Sequence, residues 1–238
     1  MDTESDLSVP TAGPAVGVDV DTALRCAEEQ GRVCALAAAG QRDLAGRVAA
    51  YPELFPAGPF DATLLGTVSL ATAFGAPWCD RDQLRIANRA ALWIFAADWL
   101  IDHRARHRAE VDEIVARCLS ILEGEPATES DPLGRFLAEI RDELAHTAPA
   151  AFASAEAAWR EEFRRMLHAM AREWQWKQRL GGVDDASGSN RAHVVGLDDY
   201  LANADNFGSS FVNVSHWIRT GDADTLDHLP ELIDRKSV

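Results

Sequence analysis

FAADWLIDHRAR, residues 95–106, closes an apolar run that starts at Ala90 and places two aspartates, Asp98 and Asp102, where a buried helix ends. The residues before them, Trp93, Ile94, Phe95, Ala96 and Ala97, carry no polar side chain. Apolar residues on every face predict a helix buried to its end. Residues four apart share one helix face, so two carboxylates there repel each other unless a cation sits between them. Both also stand at the end of the helix dipole that disfavours anions. A hard divalent cation with oxygen ligands relieves both problems. The ordinary alternative is solvent exposure, with pairing of Asp98 to His103, Arg104 or Arg106.

The rest of the chain reads as helix after helix. Residues 20–39 show apolar spacing of three and four. Three prolines break 50–60, and a very apolar helix over 60–74 is expected to be central. Asp80 is a candidate N-cap for a helix over 81–103. Further helices are expected over 108–122, 132–146, 150–180, 198–219 and 224–234. Gly124 and Gly181-Gly182 act as stops and Pro132 as a start. The loop 181–196 is rich in Gly, Ser and Asp, a composition that suggests mobility. Residues 1–18, with Pro10 and Pro14, are expected to be disordered. No strand-like alternation and no repeat occurs, so the predicted fold class is all-α, an antiparallel helical bundle over 19–238.

The chain has 238 residues with 23 basic and 38 acidic side chains, a formal net charge of −15. A field of that sign argues against nucleic acid and anionic membranes as partners. Cys26, Cys34, Cys79 and Cys118 have no metal-ligand spacing and read as buried free thiols, which suits a cytoplasmic location. No basic-then-apolar leader and no run of 18 apolar residues is present.

The segment W-I-F-A-A-D-W-L-I-D (93–102) resembles the aspartate-rich motif of class I terpene synthases, in which an apolar aromatic helix ends in D-D-x-x-D. Asp98 falls on the first aspartate, Asp102 on the last, and Trp99 replaces the second. AYPELFP (50–56), WCDRDQL (78–84) and AMAREWQWKQRLGG (169–182) are similar to segments of bacterial members. The resemblance runs from about residue 45 to the end. It implies an all-α synthase fold, Mg2+ held by Asp98 and Asp102, and a linear prenyl diphosphate substrate, geranylgeranyl or farnesyl, with C20 chemistry preferred. Ionisation at Asp98 would be followed by cyclisation against aromatic walls, for which Phe95 and Trp99 are the nearest candidates. Cation–π attraction and a dry cavity make such walls chemically sensible. Proteins of this type often form homodimers.

GLDDYLANADNFGSSFVNVSHWIRTGD (196–222) is similar to the diphosphate-sensing segment of the family. Asp199-Tyr200-Leu201 and Gly208 match, but Ala204 stands where that family has an arginine. Asp205, Ser209 and Asn213, spaced by four, also mimic the second metal motif, N-D-x-x-S-x-x-x-E, with an amide at the last position. A polar stripe on a bundle helix is the plain alternative. In the family further helices follow, so the chain is expected to match the N-terminal two-thirds of a synthase and to be weakly active or inactive alone. Arg179, Arg191 and Arg219 are candidate local cations for the diphosphate. Two other classes compete: a non-catalytic helical module that binds an apolar ligand or a partner, and a chain-elongating prenyltransferase, for which Arg104, Arg106 and Arg108 follow Asp102 but no second motif appears.

Overall fold

The computed structural model describes residues 19–181, 195–221 and 223–234, and among them every regular element is helical. The chain runs through α1 (Val20–Ala50), α2 (Ala62–Gly75), α3 (Arg81–Trp99), α4 (Arg108–Leu122), α5 (Pro132–Thr147), α6 (Pro149–Gly181), α7 (Leu197–Leu201), α8 (Ser209–Thr220), α9 (Ala223–Asp227) and α10 (Leu229–Asp234). A π turn, Leu100–Arg104, extends α3, and a 3-10 turn, Ala204–Phe207, precedes α8. No helix among the described residues is long and apolar enough to cross a membrane. The expectations for residues 1–18, for Arg191 and for most of the 181–196 loop lie outside the described residues.

Helix starts follow local chemistry. Asp80 and Gln83 form a reciprocal capping box on α3, with Asp80 accepting from the Gln83 N–H at 2.8 Å. Asp61 caps α2 by accepting from the N–H groups of Thr63 and Leu64. Asp131 caps α5, whose first residue is Pro132. Each such cap stabilises a helix by about 1 kcal/mol.

The core is built on α3 and α6. Trp93, Phe136, Trp159, Phe163 and Phe211 are fully buried, and each contributes roughly 1.5–3 kcal/mol by burial. Two of the buried tryptophans keep a partner for the indole N–H: Trp93 donates to the Leu133 carbonyl at 3.0 Å, and Trp159 to Ser215 Oγ at 2.8 Å, whereas the buried Nε1 of Trp174 has none. The second bond ties α8 to α6. Asn203, also buried, donates to the Ala169 carbonyl at 3.0 Å and fixes the 3-10 turn against α6. The proline-rich stretch between α1 and α2 is not a surface loop: Tyr51, Leu54, Phe55 and Phe60 are all buried in it. Arg89 joins three helices, gripping Asp43 of α1 at 2.6 and 2.8 Å and Glu143 of α5 at 2.7 Å.

Four expectations need correction. The first helix does not stop near residue 39 but continues to Ala50. Gly40 lies inside it because α1 meets α2 and α3 there; a Cβ would come within 2.7 Å of Asn88 Nδ2. The helix over 60–74 is not enclosed on all sides, since Leu70 and Phe74 are exposed. Cys79 and Cys118 are buried thiols as expected, but Cys26 and Cys34 are exposed on α1. Finally, 198–219 is not one helix: it breaks at Gly208, whose φ of +67° is left-handed.

Candidate functional site

Helices α2, α3 and α8 enclose a cavity of about 760 Å3, within the usual range for small-molecule sites. Leu64, Thr67, Val68 and Ala71 line it from α2, and Val212, His216 and Trp217 from α8. From α3 come Ala87, Ala91 and Phe95. Phe95 and Trp78 line the cavity yet remain exposed, so it opens to solvent on their side.

The α3 wall leads to the carboxylates. Ala87, Ala91 and Phe95 are spaced by four, and Asp98 continues that face one step beyond Phe95, about 4.5 Å further along the axis. Asp102 follows in the π turn, where the Ala105 N–H donates to the Leu100 carbonyl at 2.9 Å. Such single π turns occur frequently at functional sites. Neither aspartate is itself part of the cavity lining.

Asp98 is half-buried, and its carboxyl is pushed above the usual carboxylate range, first by burial and then by the negative charge of Asp102. Asp102 is held by an ion pair with Lys177 of α6. The same ammonium lies 3.0 Å from Glu173 Oε1. Burial works against the charge on Lys177, but hydrogen bonds to Asp102 and Glu173 outweigh it and raise its pKa. Of the arginines after Asp102, Arg108 pairs with Asp112 at 2.6 Å, while the main-chain N–H of Arg106 donates to Glu110.

The remaining sequence candidates divide. Ser209 and Asn213 line the cavity from α8. Asp205 sits in the 3-10 turn on the far side of the Gly208 break, with its carboxylate 3.9 Å from Arg165. The three therefore do not form one helical stripe, because the left-handed glycine interrupts the spacing of four. Gly208 is buried against Ile94 and Met166, one turn before Asp98 on α3. Trp99 is half-buried, meets Phe60 edge-on at 6.4 Å and lies on His103 at 4.2 Å; it is not among the cavity-lining residues. Arg179 is exposed, and Arg219 ends α8 outside the lining set.

Lys177 and Glu173 were not legible as site residues, since Lys177 lies 75 positions from its partner Asp102. His216 was missed too. It lines the cavity, burial lowers its pKa, and its buried Nδ1 has no hydrogen-bond partner. No sequence pattern announces a neutral histidine in an apolar wall.

The donor set suits a shared rather than a caged metal. Among the described residues no group of three His, Cys, Asp or Glu side chains is arranged to hold a metal ion. Mg2+, however, is usually bound by one or two carboxylates together with substrate phosphates and water. Asp98 and Asp102 supply two hard oxygen donors on one face, close enough that the charge of Asp102 acts on Asp98. No protein-family model matches the chain, and no curated protein matches its sequence.

Proposed function

We propose that the chain is the helical domain of a class I terpene synthase, which binds a linear prenyl diphosphate with Mg2+ and promotes its ionisation and cyclisation. The observation that carries the reading is the continuity of one helix face: Ala87, Ala91 and Phe95 wall an apolar cavity, and Asp98 and Asp102 follow at its end. An amphiphile with a hydrocarbon tail and an anionic head carried as its Mg2+ complex matches that sequence of surfaces.

In this reading the tail lies along α2, α3 and α8, and the diphosphate sits at the end of α3. Mg2+ held by Asp98 and Asp102 would supply positive charge to the departing diphosphate. The allylic C–O bond breaks with both electrons going to the diphosphate, leaving a carbocation in the cavity. The exposed ring of Phe95 faces that space and stabilises positive charge by cation–π attraction. Leu64, Val68, Ala71 and Val212 give the folded hydrocarbon chain an apolar wall. Transfer of a proton from the cyclised cation to the released diphosphate gives the neutral product. The C20 substrate, geranylgeranyl diphosphate, is preferred to farnesyl diphosphate.

A second reading is a helical module that holds an apolar ligand and performs no chemistry. The specific observation in its favour is that Lys177 already satisfies Asp102, and no complete protein metal cluster stands among the described residues. Metal dependence separates the two. Binding of a prenyl thiodiphosphate, which cannot ionise readily, should require Mg2+ if the first reading holds. Equal binding with and without Mg2+ would leave the second.

A further inference from the structure

A single ammonium, that of Lys177, sits between α6 and the π turn. Asp102 of the π turn and Glu173 of α6 both contact the Lys177 ammonium. Asp98 lies close enough that the charges of Asp102, Lys177, Glu173 and His103 all act on it. Lys177 is the only lysine among the described residues, and its side chain is 46% exposed. One ammonium thus serves a cluster of carboxylates brought together from two helices. Nothing in the local sequence around Lys177 requires this, because Glu173 alone could pair with it at i,i+4.

Ala204 bears no charge. Arg165, which reaches the 3-10 turn at Asp205, is engaged there and with Glu162. A diphosphate arriving at Asp98 and Asp102 would therefore meet in Lys177 a full positive charge already seated on Asp102.

We propose that Lys177 is a substrate-binding residue that exchanges partners: it holds Asp102 when no ligand is bound, and it moves to the diphosphate when Mg2+ takes Asp102. This inference rests on the proposed diphosphate function. Its physical basis is that an ammonium and a divalent cation compete for the same carboxylate oxygens, whereas the ammonium and a metal–diphosphate do not. Carboxylate and phosphate are alternative acceptors for the same charge-assisted hydrogen bonds. The ammonium that pairs with Asp102 is thus freed for the diphosphate as Mg2+ takes its place.

The test uses the full chain, Mg2+ and inorganic pyrophosphate in calorimetry, with Lys177→Met and Lys177→Arg beside the unsubstituted protein. Lys177→Met should weaken pyrophosphate binding at saturating Mg2+ by about tenfold, while Mg2+ alone should bind that variant more tightly than the parent. Lys177→Arg should stay within about threefold of the parent, since it keeps the charge. A purely structural ion pair would leave both affinities unchanged in Lys177→Met, and that result would overturn the inference while sparing the diphosphate reading. Absence of Mg2+-dependent pyrophosphate binding by the unsubstituted chain would overturn both. A second readout needs no variant. Lys177 and Lys236 are the only lysines in the chain, so acylation of each can be followed by mass spectrometry. Mg2+ with pyrophosphate should protect Lys177 relative to Lys236; equal labelling with and without the complex would contradict the exchange.

Discussion

Gly208 presses on Ile94 so closely that a Cβ at Gly208 would lie 2.5 Å from Ile94 Cδ1 and 2.7 Å from Met166 Sδ. Its φ of +67° is in the left-handed region, where other residues lose about 1–2 kcal/mol. The contact sets α8 against α3 one turn before Asp98. Gly208→Ala should therefore cost about 2–4 kcal/mol in urea unfolding, combining backbone strain with overpacking. Ile94→Val removes the Cδ1 atom and should recover part of the loss in the double variant. A cost below about 0.5 kcal/mol would contradict this account of the α3–α8 junction.

Asp98 gives a pH-dependent prediction. Burial, then the Asp102 charge, raises its pKa in the folded chain. A group with a raised folded pKa contributes stability that is fully present below the unfolded value, near 4, and is lost as pH rises through the folded value. Asp98→Asn removes that loss. The variant should match the parent near pH 3.5 and have the higher Tm at pH 7. Differential scanning calorimetry at the two pH values checks the sign. A lower Tm for Asp98→Asn at pH 7 would mean that the carboxylate stabilises the fold, against the functional reading.

His216 should act in the opposite direction. Its buried ring has a lowered pKa, so it contributes stability above the unfolded value of about 6.5 that is lost as pH falls through the folded value. His216→Leu should flatten the decline in stability between pH 7 and pH 5. At pH 7 the substitution should be nearly neutral, because the buried Nδ1 has no partner to lose and an apolar replacement leaves no orphaned group. An unchanged pH slope in the variant would assign the decline to other groups.

Cavity depth should set the length of tail that fits. Ala71 is exposed and lines the cavity from α2, so Ala71→Phe can fill space without disturbing the core. It should weaken a geranylgeranyl thiodiphosphate by about tenfold and a farnesyl one by less than about threefold, since each excluded methylene forfeits about 0.8 kcal/mol of burial. Competition binding with the two analogues measures the ratio. Equal weakening would place the tail elsewhere.

Local signals in the sequence read well and long-range ones did not. Asp80 with Gln83, Asp98 at the end of an apolar helix, and the prolines of 50–60 each act through neighbours within a few residues. The first helix runs on past residue 39 because Gly40 serves a tertiary role that spacing does not show, the close approach of Asn88. The break at Gly208 was hidden inside a stretch whose apolar spacing suits a continuous helix. Asp98 and Asp102 were visible as a pair, but their counter-ion came from α6 and could not be read from spacing. The cavity, likewise, exists only where three helices meet.

The most direct test of the central claim is calorimetry of a prenyl thiodiphosphate with the full chain, with and without Mg2+, beside Asp98→Ala. The account predicts binding that requires Mg2+ and weakens at least tenfold in Asp98→Ala. Binding that is indifferent to Mg2+ and to the substitution would contradict it, and would make the cavity a site for an apolar ligand alone.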